Sequence, residues 1–310
     1  MKQSSPSLWQ WAPTDIRASV RGLVMGWQYV GAHRFVEPFF ADSLVATAGM
    51  GPEKRELEVA AISEVDDLDC LEPRAFIFHA SRCGSTLMGQ LLGESEKHIV
   101  VSEAPVIDAA LGYASSEEWI FKRVIRALGQ RRGGRERHLF VKLDSWHLFH
   151  LPVIQKTYPD VPMLFLYREP GAIMESHKIQ RGGQMVPGVV DYAAMGVELE
   201  VVYHDLDAYC REVLEALYGR AIEFASEGRL KLLQYDQLPE LVWRDLIDFL
   251  SLDLSAGEVL AMGERAMRHS KRPQEFFGGE GRKAVREGKL YEQFLQLEEL
   301  RREHGIGEWA

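Results

Sequence analysis

The chain has 310 residues, 46% of them hydrophobic, the make-up of a globular protein able to bury a large core. A formal net charge of −10 argues against general nucleic-acid binding, and Cys70, Cys83 and Cys210 have neither metal-ligand nor Cys-x-x-Cys spacing. No uncharged apolar run is long enough to span a bilayer and residues 1–6 lack the apolar stretch of a signal peptide, so a cytoplasmic protein is expected.

In chain order, residues 1–73 read as a mostly helical N-terminal cap or extension, with a helix near Asp15–Val30 and then the aromatic residues Phe35, Phe39 and Phe40. This part is expected to line an acceptor pocket or hold a partner. Residues 74–310 read as the main α/β domain. Its first element is the apolar run Ala75–Phe78, a buried strand, followed by a tight turn built on Gly84. From Ser85 onward, Leu87, Leu91 and Leu92 recur at helical spacing. Strand, small-residue turn and a helix opening with Ser85 and Thr86 form a phosphate-binding arrangement, because the free N–H groups of the first helical turn and the positive end of the dipole meet the anion. It is not a Walker A loop: GxxxxGK[ST] is absent and the cation, Arg82, precedes the glycine.

Further strands are predicted near 98–102, 138–143, 162–167 and 229–234, each followed by a helical pattern. That alternation predicts an α/β three-layer sandwich, a central parallel sheet with helices on both faces, and a helical C-terminal part. The cationic run Lys122, Arg123, Arg126, Arg131, Arg132, Arg135 and Arg137 reads as a solvated helix end and the loop after it, or as a patch for an acidic partner. After the fourth strand, Arg168-Glu169-Pro170 opens a helix with Pro at its first turn, and Ser176 lies farther along it. Ligands of α/β sheets gather at the carboxyl ends of strands, so Arg82 and Arg168 are expected to face one anionic ligand. Residues 191–226 read as one or two helices, and 238–250, 256–269 and 282–303 as helices. Lys271, Arg272, Arg282, Lys283 and Arg286 flank Phe276-Phe277-Gly278-Gly279, either a flap that clamps a phosphate and a base or an ordinary surface loop.

Ser-Arg-Cys-Gly-Ser-Thr-Leu at 81–87, with Tyr-Arg-Glu-Pro-Gly-Ala-Ile-Met-Glu-Ser at 167–176, resembles the sulfotransferases that use 3′-phosphoadenosine 5′-phosphosulfate (PAPS). The resemblance covers residues 74–180 well and extends weakly to Ser270-Lys271-Arg272-Pro273. It implies a P-loop-like phosphosulfate-binding loop of Arg82, Cys83, Gly84, Ser85 and Thr86, and a 3′-phosphate site of Arg168 and Ser176. Ser270, Lys271 and Arg272 would then close over the nucleotide, and no metal is required.

In-line sulfuryl transfer also needs a group that takes the acceptor's proton. Glu103, after the second strand, is the first candidate. In the small-molecule branch of the family a Lys-Thr-His follows the third strand; Lys142 matches its Lys, which assists the leaving group, whereas Asp144 stands in the histidine's place, either as a base or only as the N-cap of the helix that follows, and His147, the second candidate base, is displaced from it. The acceptor, a small molecule, glycan or peptide, is not legible; Trp27, Tyr29, Trp146, Tyr192 and Tyr203 are candidates to line its pocket, and no nucleic acid or membrane partner is expected. Two rival readings remain open at this stage: a P-loop nucleotide or small-molecule kinase, which would need a Lys after Gly84, and a non-catalytic nucleotide-binding protein of the same fold.

Overall fold

The structure, a computed structural model, describes residues 7–20, 22–59, 65–114, 117–199, 204–268 and 287–306. Its centre is a five-stranded parallel sheet of β4 (Pro73–His79), β5 (His98–Ser102), β6 (His138–Lys142), β7 (Met163–Tyr167) and β8 (Lys231–Gln234), in the order β5-β6-β4-β7-β8. The chain enters at the middle strand, fills one side through β5 and β6, then crosses to the other through β7 and β8. The carboxyl end of β4 is therefore the point where strand order reverses, which is where open α/β sheets hold their ligands.

Both faces of the sheet are buried, which is why its strands are unbroken apolar runs rather than alternating ones. Ala75 and Ile77 of β4 face one layer, with Val100, Phe140, Leu164 and Leu233. That layer is α2 (Ser85–Gly93), α8 (Glu240–Phe249) and α9 (Ala256–Ala266), which supply Met88, Leu91, Leu246 and Met262. Phe76 and Phe78 face the opposite layer, built from α3 (Pro105–Tyr113), α4 (Glu118–Leu128), α5 (Leu151–Thr157), α6 (Pro170–Ile179), α7 (Leu206–Ser226) and α10 (Lys289–His304). The three-layer α/β sandwich expected from the sequence is thus present, with its five strands within two residues of their expected limits. The long helix expected from Asp191 begins only at Leu206, after a short 3-10 turn at Ala193–Met195.

The N-terminal region differs from expectation. Residues 1–73 were expected to be mostly helical, with a helix near Asp15–Val30; instead β1 (Trp11–Ser19) and β2 (Gly22–Tyr29) form an antiparallel pair, joined by β3 (Arg55–Glu58). The one helix of the region among the described residues is α1 (Phe40–Ala46). The physical reason is in the sequence: Gly22 and Gly26 each cost a helix about 1 kcal/mol relative to Ala, while Trp, Ile, Val and Tyr favour strands. Gly26 has a further role, since a Cβ there would lie 2.0 Å from Asp15 Oδ1 across the pair. β1 packs on α3 and α4, and one apolar cluster runs from Trp11, Met25 and Trp27 to Phe76 and Phe78. Polar contacts add to it: Gln130, fully buried, accepts from Gln10 N–H (3.0 Å) and donates to Trp11 O (2.8 Å).

Cations of the 122–137 run meet acids within the chain. Arg123 pairs with Asp66 at 2.8 Å, Arg126 with Glu72 at 3.3 Å and Arg131 with Asp69 at 3.8 Å, while Arg132 is buried with its guanidinium 3.9 Å from the Phe35 ring centroid. Among the described residues no helix is long and apolar enough to cross a membrane.

Candidate active site at the carboxyl edge of the parallel sheet

Between β4 and α2 the backbone turns through three left-handed residues, Ser81 (φ 65°), Arg82 (φ 47°) and Gly84 (φ 86°). Glu103, immediately after β5, is also left-handed (φ 51°). Of the five non-glycine residues with positive φ among those described, three therefore sit along this one edge. Such conformations cost about 1–2 kcal/mol each and persist where the surroundings over-determine them. Gly84 has no alternative: a Cβ would meet Tyr235 Cδ2 at 2.8 Å and Leu238 Cδ1 at 2.9 Å. The turn is held from outside as well, by Gln184 Nε2 donating to Ser81 Oγ (2.7 Å) and by Arg82 donating to Gln180 O.

Arg168, at the end of β7, comes to the same turn. It is buried, donates to Arg82 O at 3.3 Å, and lays its guanidinium 4.0 Å from the Tyr235 ring centroid. Ser176 lies half-buried on the second turn of α6. The Glu169 carboxylate caps α6 by accepting from Gly171 and Ala172 N–H (3.0 and 2.8 Å), which fixes the helix that carries Ser176. Ser85 and Thr86, both buried, open α2 beside the turn. Cys83 turns the other way: its thiol is fully buried, donates to Leu166 O (3.1 Å), and is pushed by burial up to about 11. Its side chain belongs to the core, so Cys83 can offer a ligand only its backbone.

One strand away, on the β6 and β5 side, lies a cluster of ionisable groups. Lys142 is fully buried and paired with Glu103, and its ammonium is 5.7 Å from the Phe39 ring centroid. The Lys142 stem passes α2, where a Cβ on Gly89 would lie 3.7 Å from Lys142 Cδ. Burial by itself would raise the Glu103 carboxyl, but the Lys142 charge and the adjacent His79 hold it well below the usual carboxylate range. Asp144 is tuned the other way. Burial is the largest influence, the Glu103 charge adds to it while His147 and Lys142 oppose it, and the carboxyl is raised to about 7.

His147 is buried with both ring nitrogens committed. Nδ1 accepts from Asp144 N–H (3.2 Å), so Nε2 carries the proton that faces Asp108 Oδ1 at 2.9 Å. Trp146 donates to the same oxygen (2.6 Å). The ring supports the turn after β6 and has no nitrogen left for the acceptor's proton.

The structure thus brings together Arg82, Gly84, Ser85, Thr86 and Arg168 at one turn, and Lys142, Glu103 and Asp144 beside it. Ser270, Lys271, Arg272, the 276–279 segment and Tyr203 lie outside the described residues. Of the aromatic residues suggested for an acceptor pocket, Trp27 and Tyr192 are buried in the core. Two contributors escaped the sequence reading, Tyr235, which packs against Gly84 and Arg168, and His79; Phe39, named there only as one aromatic residue of the N-terminal part, stands beside Lys142. For His79 the sequence carried a signal, an ionisable residue that ends the apolar run Ala75–Phe78 directly before the turn.

No protein-family profile matches the chain, and no curated protein matches it. Among solved structures the chain is similar to a sulfotransferase from Alicyclobacillus acidocaldarius, with 16% identity over 59% of this chain and 82% of that one and a TM-score of 0.40. It is similar to sulfotransferase STF1 from Mycobacterium tuberculosis H37Rv, with 15% identity over 78% of each chain and a TM-score of 0.46. A third is the sulfotransferase domain from the curacin biosynthetic pathway, with 14% identity over 62% of this chain and 78% of that one and a TM-score of 0.42.

Proposed function

We propose that the protein is a PAPS-dependent sulfotransferase that moves a sulfuryl group to a hydroxyl or amine of its acceptor. One observation carries the reading: a left-handed turn bearing Arg82 and Gly84, the buried Arg168, and the buried Lys142 paired with Glu103 meet at the ends of four adjacent strands where strand order reverses. A ligand with two separated anionic groups fits that arrangement. The turn lacks a Cβ at Gly84, where backbone N–H groups must approach an anion closely, and Arg168 reaches that turn from the end of β7 with a second guanidinium. The sequence motifs that resemble those of sulfotransferases fall on these same residues.

When bound, PAPS supplies an activated sulfuryl group and a phosphate leaving group. Arg82 and the N–H groups of the turn neutralise charge that grows on the leaving phosphate, and the Lys142 ammonium adds to this from β6. Asp144 is the group we propose to take the acceptor's proton. A carboxylate held in an ion pair, as Glu103 is, makes a weak base, whereas one at about 7 is ionised often enough and basic enough to act near neutrality. Glu103 then serves as the counter-ion that holds the Lys142 ammonium in place. In the balanced step the acceptor oxygen gives its proton to Asp144 and bonds to sulfur, while the sulfur–oxygen bond to the 5′-phosphate breaks with its electron pair passing to the phosphate. Nothing in this scheme calls for a metal, and among the described residues no group of three His, Cys, Asp or Glu side chains is arranged to hold one. The partners proposed are the donor and a small-molecule, glycan or peptide acceptor, in a cytoplasmic protein.

Calorimetry against 3′-phosphoadenosine 5′-phosphate, with AMP and ATP-Mg²⁺ alongside, tests the donor site, and transfer of labelled sulfate from PAPS to an acceptor panel tests the reaction. Preference for the bisphosphate is expected. Preference for ATP-Mg²⁺ would return the site to a kinase, and binding without turnover on any acceptor would support the non-catalytic reading.

A further inference from the structure

β4 ends in a histidine that neither the anion-binding turn nor the proton-transfer scheme uses. His79 follows four apolar buried residues and is itself 5% exposed. Its Nδ1 accepts the N–H of Ser81 at 3.0 Å, and that bond is possible only if Nδ1 carries no proton. The neutral ring therefore carries its proton on Nε2. This atom lies 3.2 Å from Glu103 Oε1 and makes no hydrogen bond of good geometry among the described residues. Glu103 in turn accepts from Lys142.

We propose that His79, as the Nε2–H tautomer, is a positioning residue that ties the anion-binding turn to the Glu103–Lys142 pair and holds Glu103 where it can orient Lys142. One ring nitrogen is anchored by the turn that would hold the donor, and the other faces the carboxylate that anchors the lysine. The charged groups that act on the ring are Lys142 from β6 and Glu103 from the end of β5. Burial and the Lys142 charge favour the neutral ring, and Glu103 pulls the other way. The net effect keeps the ring neutral below the ordinary histidine value of about 6.5. The catalytic part of the proposal rests on the sulfuryl-transfer reading; the tautomer and its coupling to Lys142 do not.

Two measurements on the full chain separate these parts. In the first, imidazole ¹⁵N shifts should show His79 as the Nε2–H tautomer that does not titrate near pH 6.5, whereas in Lys142→Met the ring should gain a second proton in the neutral range, replacing the lost cation beside Glu103. An Nδ1–H ring, or one that titrates alike in both proteins, overturns the proposal. In the second, His79→Leu should slow sulfate transfer roughly tenfold or more, with partial recovery in His79→Gln, which keeps an N–H donor. Because His79 acts through Glu103, His79→Leu/Glu103→Gln should be no slower than Glu103→Gln alone. Multiplying effects, or a His79→Leu rate within twofold of wild type, overturn the positioning role. If no protein transfers sulfate from PAPS but the shifts behave as expected, the sulfotransferase reading fails while the linked His79–Glu103–Lys142 cluster stands.

Discussion

The two sheets of this protein make opposite use of similar residues. In the five-stranded parallel sheet every strand is buried on both faces, strand ends point one way, and ionisable residues collect at the carboxyl edge: His79, Glu103, Lys142 and Arg168. In the three-stranded antiparallel sheet the strands are buried at one end only, β1 running from buried Trp11 to exposed Ser19, and its charged residues pair with each other at the surface, as Arg17 does with Asp15. Chemistry follows orientation. Parallel strands aim several loops at one place, while an antiparallel hairpin spreads its ends and serves here to support the segment that carries Phe39 toward Lys142.

The comparison can be broken most directly at Asp144. Asp144→Asn should lower the transfer rate about 10²- to 10⁴-fold, and the wild-type rate should rise with pH through about 7 to a plateau, the slope expected of a base that must be ionised. A profile flat from pH 5.5 to 9 would point instead to a base with a lower value, such as Glu103. Next in size, Arg168→Ala should weaken 3′-phosphoadenosine 5′-phosphate by about 10- to 100-fold in calorimetry and AMP hardly at all, because only the first carries the charge-assisted contact; equal losses would remove the 3′-phosphate assignment. Gly84→Ala combines a left-handed backbone with a Cβ pressed on Tyr235, so its melting temperature should fall by about 2–6 °C and its bisphosphate affinity with it.

Phe39 sharpens the contrast from the other sheet. Phe39→Ala should raise the acceptor KM by about three- to tenfold and leave bisphosphate affinity unchanged within about twofold, since the ring stands beside Lys142 and not at the turn. The smallest effect concerns stability. With a folded-state value of about 7 against about 3.9 when unfolded, the Asp144 carboxyl costs increasing stability as pH rises between those values. Asp144→Asn removes that cost, so it should melt about 2 °C or more above wild type at pH 8.5 and show no gain at pH 4.

Sequence pattern alone determined the parallel sheet, its order of strands and helices along the chain, and the turn with its arginines. Continuous apolar runs such as Phe76–Phe78 and Met163–Tyr167 leave no amphipathic alternative, and glycine before paired hydroxyls marks the start of a helix. The same reasoning misread Asp15–Val30, because apolar content was weighed above the strand signals of Gly22, Gly26 and the β-branched and aromatic residues; α3 and α4 supply the surface on which β1 packs. Only the tertiary structure decided the chemistry at the site. Lys142, Glu103 and His79 come from three strands far apart in sequence, and their mutual distances, not their identities, hold Glu103 ionised, while burial together with the Glu103 charge raises Asp144 to about 7. The orientation of Cys83 into the core and the fastening of His147 to Asp108 were likewise beyond the sequence. Local pattern encodes which face of a strand is buried; which charged groups become neighbours in a low-dielectric site is set by strand order, and strand order is a property of the folded chain.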